Sequence, residues 1–183
     1  MPKVLVPLAQ GCEELEAVTI IDLLRRANIQ VVAAGLDDVP VKGSHGVVLT
    51  PDTTLDDALE QDFDMVVLPG GLPGSDNLGA DPRIPAVLAK MVESGKFAGA
   101  ICAAPRVLAK AGLLDGKKAT AYPGFIDGGA FPKVKHTGGA VERDGKIITG
   151  RGPGTAMDFA LAIIEALTDA KTRNAVEASL VRG

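Results

Sequence analysis

The sequence predicts an α/β fold with a central, mostly parallel sheet, on three observations. Apolar runs of strand length alternate with helical patterns from the first residues, which is typical of βαβ units around a parallel sheet. The segment 64–68 is almost entirely apolar, as burial of a strand on both faces demands. The chain has 183 residues and is 46% hydrophobic, enough for one sizeable core. We therefore expect a single domain over residues 1–183.

The first 71 residues contain the first strands and helices of the predicted alternation. A helix over 13–27 is predicted by apolar residues at helical spacing and by acidic residues in its first turn, where the helix dipole favours negative charge. Residues 41–50 contain two glycines and are followed by Pro51, which predicts either a short hairpin or a bent excursion. The elements expected here are a strand at 3–8, the helix at 13–27, a strand at 29–35, the irregular segment 41–50, a short helix at 54–60 and a strand at 64–68.

The remaining residues continue the same pattern without a repeat, linker or low-complexity stretch. A helix over 103–111 is closed by Gly112, a residue typical of helix C-termini. The segment 141–149 contains the turn signal Asp144-Gly145. The elements expected here are a helix at 82–94, a strand at 97–101, the helix at 103–111, strands at 118–122 and 141–149, and helices at 155–167 and 171–179.

Composition excludes several classes of function. No apolar run approaches the ~18 residues of a membrane-spanning helix, and the N-terminus has no basic segment leading into an apolar stretch, so we expect a cytoplasmic protein without a membrane partner. Two cysteines, Cys12 and Cys102, cannot form a disulfide framework, which fits a reducing compartment. The net charge is −4 and the basic residues are scattered, so dedicated nucleic-acid binding is not expected.

The same composition bounds the ligand. Aromatic residues make up 3% of the chain and there is no Trp, which leaves little to line a pocket for a large flat cofactor. No His, Cys or carboxylate pair has the spacing of metal ligands. We therefore expect a ligand that is small or absent, no cofactor and no metal.

Four special loops follow predicted strands or precede a late helix: QGCEE (10–14), PGGLPGS (69–75), the junction at Cys102, and GRGPGT (150–155). In an open parallel sheet, ligands bind where such loops meet at the carboxyl ends of the strands. One glycine-rich loop alone is a weak signal. The placement of all four loops at the carboxyl ends of the strands predicts a functional site at this edge of the sheet.

Cys102 is the candidate nucleophile. Residues 99–105 pass from a strand into a helix through small residues, which favours a tight elbow that projects one side chain. A thiol at a helix N-terminus is expected to have a lowered pKa. Backbone N–H groups of Ala103 and of the Gly70-Gly71 loop would hold an oxyanion formed by attack on a carbonyl. The alternative is a buried structural cysteine.

Glu16 is the candidate partner of the thiol. The two histidines, His45 and His136, lie outside any motif, and we expect surface roles for both. Glu13, Glu14 and Glu16 begin the first helix near the same sheet edge. Glu16 lies on the side that faces the core, where burial would raise its pKa and let its carboxyl hydrogen-bond the sulfur. The alternative is a solvated carboxylate at a helix start.

Two further residues, Arg151 and Cys12, each have more than one possible role. Arg151 would bind an anion or orient a carboxylate, or else be solvated. Cys12 would be a resolving thiol for an oxidised Cys102, or a small apolar loop residue.

Four motifs in this order resemble the ThiJ/PfpI superfamily, specifically the branch of the parkinsonism-associated deglycase and its bacterial YajL-like relatives. The resemblance covers nearly the whole chain. The motifs are GCEELEAV at 11–18, VVLPGG at 66–71, AICAAP at 100–105, and RGPGT followed by a helix at 151–167.

The resemblance implies a flavodoxin-like sandwich, with helices on both faces of the sheet, that forms a homodimer. It implies Cys102 as nucleophile and Glu16 as its protonated partner, with Gly71 and Ala103 as backbone donors. Peptidase-like members have a histidine directly after the cysteine, where this chain has Ala103, so peptidase activity is not expected. Eukaryotic members have a histidine where this chain has Tyr122.

The resemblance also gives His45 a second interpretation, as a polar group contributed across the dimer, because in the family an arginine at this position reaches toward the partner subunit's site. We expect a cofactor-independent deglycase or glyoxalase, a cysteine-dependent hydrolase or lyase. Its substrates would be methylglyoxal, glyoxal or their glycated adducts, and it would protect against oxidative stress. The alternative is a redox sensor or chaperone whose cysteine is oxidised to sulfinic acid without physiological turnover.

Overall fold

The computed structural model describes residues 1–182 and confirms the α/β fold with a central, mostly parallel sheet. The strands are β1 (Lys3–Leu8), β2 (Gln30–Gly35), β3 (Val41–Lys42), β4 (Val48–Leu49), β5 (Thr53–Thr54), β6 (Met65–Leu68), β7 (Phe97–Ile101), β8 (Lys118–Ala119), β9 (Lys135–His136), β10 (Val141–Asp144) and β11 (Ile147–Gly150). The helices are α1 (Glu14–Arg26), α2 (Leu55–Leu59), α3 (Gly74–Ala80), α4 (Arg83–Glu93), α5 (Pro105–Lys110), α6 (Ala156–Leu167) and α7 (Ala170–Ser179), with a 3₁₀ turn at Pro153–Thr155.

Seven strands form the main sheet in the order β10-β11-β7-β6-β1-β2-β5. All neighbouring pairs are parallel except β10 with β11, a hairpin that turns after Asp144, as the Asp-Gly signal predicted. Strands β1, β6 and β7 are buried almost throughout because helices cover both faces. Two small two-stranded sheets, β3-β4 and β8-β9, lie outside it.

Alternate residues of the central strands divide the apolar core into two layers. On one face, residues such as Val4, Val6 and Val67 pack with the apolar sides of α1 and α6. On the other, Leu5, Val66 and Leu68 belong to the layer that α4 and α5 complete. The sheet is thereby held rigidly, which fixes the loops at its carboxyl edge.

The strand order brings the four special loops together, as predicted. Strands β11, β7, β6 and β1 are consecutive neighbours and run parallel, so their carboxyl ends lie at one edge. The loop after β1 contacts the loop after β6 through a 2.9 Å hydrogen bond from Glu13 N–H to the Gly70 carbonyl. The Cys102 N–H donates to the Gly150 carbonyl at 3.0 Å, which joins the other two loops.

Three local predictions differ from the structure. The PGGLPGS segment contains the start of helix α3. Its glycines and prolines are typical of a loop, so the sequence did not predict this helix. Helix α5 begins at Pro105, not at 103, because proline fits the first position of a helix. The strand predicted at 118–122 is reduced to β8, which pairs with β9 outside the main sheet. Within residues 1–182, no helix has the length and apolar character needed to cross a bilayer.

Candidate active site around Cys102 and Glu16

Cys102 occupies a sharp turn directly after β7, with φ of 63°. This left-handed conformation is uncommon for any residue other than glycine and, in natural proteins, clusters at functional sites. Two hydrogen bonds fix it: the Cys102 N–H donates to Gly150, and the Cys102 carbonyl accepts from Tyr122 N–H at 2.8 Å. The residue is 8% exposed. The predicted elbow is therefore present, and it projects the thiol from a rigid support.

Glu16 lies in the second half-turn of α1 with no exposed surface. Its Oε2 accepts a 2.8 Å hydrogen bond from the Gly70 N–H, while its Oε1 has no partner of regular hydrogen-bond geometry among the described residues. The Cys102 thiol is close enough that thiol and carboxyl shift each other's pKa by hydrogen bonding. A methyl group at Gly70 would lie 2.6 Å from both Cys102 Cβ and Glu16 Oε2. Only glycine lets the two side chains meet.

The pair is electrostatically coupled. Burial raises the pKa of Glu16 to about 7, against the opposing effect of the Gly70 N–H. Burial, and then the negative charge of Glu16, raise the pKa of Cys102 to about 12. Two such acids lose their protons in steps that belong to the pair. Between these values the pair holds one proton, carried either by the carboxyl or by the thiol.

The predicted lowering of the Cys102 pKa is therefore wrong for the thiol beside an ionised carboxylate. The expectation relied on a helix N-terminus, whereas α5 begins three residues later and burial dominates. Thiolate forms in this site when Glu16 carries the shared proton. Burial first, and then Glu16, set the pKa of the thiol.

Two backbone donors favour the thiolate. The N–H groups of Gly71 and Ala103 hydrogen-bond the sulfur and lower the pKa of Cys102, so the structure brings both predicted donors to it. Gly71 adopts φ of 89°, and a methyl group there would lie 2.3 Å from Glu13 N. Gly70 does not act as an oxyanion donor in this structure, because its N–H is bonded to Glu16.

Two of the predicted accessory residues, Tyr122 and Arg151, make side-chain contacts with groups other than the Cys102–Glu16 pair. The Tyr122 side chain is half exposed and meets Phe125 edge to face, with ring centroids 6.1 Å apart. The Arg151 guanidinium donates to the Gly138 carbonyl at 3.1 Å, which stabilises the loop that contains Arg151.

Cys12 is fully buried beneath the turn at Gly74. Burial, followed by the charge of Glu14, raises the pKa of Cys12 to about 11, which agrees with the small apolar role. His136 is exposed in β9, as predicted.

His45 belongs to a cluster that the sequence did not predict. Its Nδ1 lies 3.3 Å from Glu13 Oε2 and 3.5 Å from Glu14 Oε2. Glu14 is nearly buried and accepts hydrogen bonds from the N–H groups of His45 and Val47, at 2.9 and 3.3 Å. Burial opposes ionisation of Glu14, but these and its own N–H hold its pKa below the usual value. Ligand atoms of Glu13, Glu14 and His45 lie within 4.8 Å of one another.

The expectation of no metal rested on spacing along the chain, and that reasoning does not cover this cluster. Spacing along the chain cannot reveal ligands that are 31 residues apart. The only sequence signal for this cluster was the KGSHG segment (42–46), whose residues favour a turn. That turn places His45 against the start of α1.

A model of the DJ-1/PfpI family matches residues 2–166. The chain is 45% identical over 166 residues to Protein DJ-1 homolog B of Arabidopsis thaliana, covering 90% of this chain and 37% of the plant protein. It is 41% identical over 182 residues to the Parkinson disease protein 7 homolog of Danio rerio, covering 98% and 96% of the two chains. It is 35% identical over 167 residues to the glutathione-independent glyoxalase DJR-1.2 of Caenorhabditis elegans, covering 91% and 89%.

Solved structures agree with these similarities. The structure of oxidized DJ-1 from Toxoplasma gondii superposes with a TM-score of 0.94 at 38% identity, covering all of both chains. The chain spans 37% and 42% of the two Arabidopsis relatives it matches, but nearly the full length of the zebrafish relative. With the family model matching 165 of the 183 residues, this protein belongs to the DJ-1/PfpI family.

Proposed function

We propose that this protein is a cofactor-independent glyoxalase and deglycase that acts on methylglyoxal, glyoxal and their adducts through Cys102. The observation that carries the proposal is the buried pair of Cys102 and Glu16, which shares a proton beneath two backbone N–H groups. The nematode relative named as a glyoxalase supports the substrate class. The proposed role is protection against reactive carbonyls and oxidative stress, and the two free cysteines suit the cytoplasm.

In the first step the Cys102 thiolate attacks the aldehyde carbon of methylglyoxal, forming a C–S bond. The electron pair of the C=O bond moves to oxygen, where the N–H groups of Gly71 and Ala103 stabilise the negative charge. Glu16, which holds the shared proton, delivers it to this oxygen and becomes a carboxylate. The product is a hemithioacetal on Cys102.

In the second step the Glu16 carboxylate removes the proton from the former aldehyde carbon and returns a proton to the neighbouring ketone carbon through an enediol. The aldehyde carbon is thereby oxidised to a thioester while the ketone carbon is reduced to an alcohol, so no external oxidant or reductant is needed. Water then hydrolyses the thioester, releasing lactate and restoring the thiol. For a glycated adduct, the C–S bond to Cys102 forms as the C–N or C–S bond to the modified amine or thiol breaks, and Glu16 gives its proton to that leaving group.

Lactate production from methylglyoxal tests this proposal. We expect Cys102→Ser to lose nearly all activity, and Glu16→Gln to lose about 10²-fold or more, as removal of a general acid-base does. Cys12→Ser is the matched control, because it changes the other buried thiol, and it should retain activity. Activity that survives in Cys102→Ser would contradict the mechanism.

A second candidate function is a redox sensor or chaperone in which Cys102 is oxidised to sulfinic acid. The same two N–H groups that would hold an oxyanion would hold a sulfinate oxygen, and a related solved structure is described as oxidized. Two equivalents of peroxide supply the two oxygens and leave as water. Intact mass after mild peroxide should increase by two oxygens in the native protein and in Cys12→Ser, but not in Cys102→Ser. An unchanged native mass would refute this function.

We also propose that the protein forms a homodimer through an apolar face at α1 and β4. Leu15, Val18, Val47 and Val48 are each about half exposed or more. Val47 N–H bonds to Glu14 on α1, and Val18 and Leu49 line one surface depression, so the face is continuous. Such a patch marks a contact surface.

Light scattering during size-exclusion chromatography tests the dimer. Val48→Lys should shift the native dimer toward a monomer, while Lys133→Glu, at an exposed residue whose ion-pair partner is Asp115, should not. A native protein that elutes as a monomer at micromolar concentration would overturn this part of the proposal.

A further inference from the structure

We propose that Glu13, Glu14 and His45 form a binding site for a divalent transition-metal ion of the Zn²⁺ type, separate from the thiol of Cys102. Two carboxylate oxygens and an imidazole nitrogen converge from two segments, the start of α1 and the turn between β3 and β4. Nitrogen and oxygen donors of this kind suit Zn²⁺ and its neighbours in the first transition row. The inference goes beyond the proposed function and does not depend on it.

The donor atoms lie close enough together to share one ion. His45 Nδ1 lies 3.3 Å from Glu13 Oε2 and 3.5 Å from Glu14 Oε2. The Ser44 hydroxyl oxygen lies 3.1 Å from His45 Nδ1, 3.4 Å from Glu13 Oε2 and 3.2 Å from Glu14 Oε2. Two ligand atoms that each lie about 2.0 Å from a tetrahedral ion are about 3.3 Å apart, so these five separations are close to those of a four-coordinate site, and the ligand atoms of Glu13, Glu14 and His45 all lie within 4.8 Å of one another. Ser44 marks the fourth corner, which its hydroxyl or a water can fill.

Charge balance points to a cation. The side chains of Glu13 and Glu14 are only 12% and 9% exposed, so water screens their mutual repulsion poorly. The Ser44 hydroxyl has one proton to donate, although it lies within hydrogen-bond distance of both carboxylates. Negative charges that converge in this way are stabilised by a cation at the centre, where a divalent ion offsets the charge of both carboxylates.

The support for the ligands is already in place. Glu14 Oε1 is held by the N–H groups of His45 and Val47, which leaves its Oε2 directed at the centre. These bonds act as the second shell that orients a metal-ligating carboxylate. In the single chain the His45 side chain is 72% exposed, so an ion can reach the site before two subunits associate.

Titration of the metal-free full-length protein with Co²⁺ tests the site, because four-coordinate Co²⁺ gives intense visible absorption. The titration is performed in Cys102→Ser, so that no signal comes from that thiol, and Zn²⁺ is then added as a competitor. We expect one Co²⁺ per chain with tetrahedral absorption, displaced by Zn²⁺. His45→Gln and Glu13→Gln should each weaken binding by about tenfold or more, since even outer-shell partners are worth that much.

His136→Gln is the matched control, since it removes the other histidine, and it should bind Co²⁺ as the parent does. Circular dichroism of each variant confirms that the fold is retained, and Glu14→Gln is avoided as the main test because Glu14 also anchors the turn at His45. The proposal fails if the parent protein gives no tetrahedral absorption. It also fails if His45→Gln binds Co²⁺ as tightly as His136→Gln does.

Discussion

Glu16 and Gly70, 54 residues apart in the chain, are joined by a 2.8 Å hydrogen bond from the Gly70 N–H to Glu16 Oε2. This bond aligns a buried carboxyl with the thiol of Cys102, and the absent side chain at Gly70 provides the space for it. The reactivity of the cysteine is therefore set by a loop and a helix that are distant from it in sequence. Four predictions test the structure on which the proposed function depends.

The first prediction concerns the space at Gly70. Gly70→Ala would place a methyl group 2.6 Å from Cys102 Cβ and from Glu16 Oε2, so the pair must separate. We expect the free energy of unfolding to fall by about 1–3 kcal/mol, the usual cost of overpacking, and alkylation of Cys102 to lose its native pH dependence. Gly154→Ala is the control, because a methyl group there meets open space. Equal stability of the two variants would contradict the close approach.

The second prediction concerns titration of the thiol. In the native protein, the rate of Cys102 alkylation by iodoacetamide should show an inflection near pH 7, where the pair loses its first proton. Glu16→Gln removes both the charge that raises the Cys102 pKa and the carboxyl that shares the proton. The inflection near pH 7 should disappear, leaving one transition at alkaline pH that reflects burial. An inflection near pH 7 that persists in Glu16→Gln would show that another group controls the thiol.

The third prediction concerns stability as a function of pH. Burial raises the Glu16 pKa from its ordinary value of 4.5 to about 7, so between these values the folded state binds a proton that the unfolded state has lost. The stabilisation is complete below about pH 4.5 and is lost as pH rises through about 7. Relative to Glu16→Gln, the native protein should therefore lose about 3 kcal/mol of unfolding free energy between these limits.

Urea denaturation of both proteins near pH 4.5 and near pH 8 measures this difference. Glu165→Gln, which changes an exposed carboxyl on α6, is the control and should give no comparable change. A constant difference between native protein and Glu16→Gln at the two pH values would mean that Glu16 is not neutral in the folded state.

The fourth prediction separates structural from catalytic residues. The Arg83 guanidinium binds both oxygens of Asp81, at 3.0 and 2.6 Å, Asp56 at 2.8 Å and the Leu36 carbonyl at 2.8 Å. Arg83→Lys keeps the charge but loses the planar fork, so we expect unfolding free energy to fall by about 1 kcal/mol with alkylation of Cys102 unchanged. Arg26→Lys, which alters one exposed ion pair with Asp22, should change stability by less than about 0.5 kcal/mol.

Hydrophobic periodicity was sufficient for most of the fold. The bounds of β1 and β7 agree with the predictions, and α1 differs by a single residue at each end because Glu13 is its N-cap and Ala27 its C-cap. Predictions failed where local composition and tertiary context disagree. The glycines and prolines around α3 are typical of a loop, yet residues 74–80 form a helix on the edge of the site.

The residues of the candidate site also divide into those that local sequence patterns indicate and those that depend on tertiary contacts. The elbow at Cys102 and the buried face of α1 follow from local patterns, so the sequence could indicate both Cys102 and Glu16. The pKa of the thiol could not be predicted, because it depends on how closely the carboxyl approaches and on where α5 begins. The cluster at His45 depends on a turn that folds back onto α1, and no spacing along the chain encodes that contact.

The neighbouring strands β1, β6, β7 and β11 are far apart in the chain, which has a consequence for the chain before it is folded. Glu16, Gly71 and Cys102 come from three segments whose strands must all pair before the carboxyl, the donors and the sulfur meet. Formation of such distant contacts is late and cooperative. A growing or unfolded chain consequently carries a Cys102 thiol of ordinary reactivity. The thiol acquires the reactivity of the folded site only when the last central strands have joined the sheet.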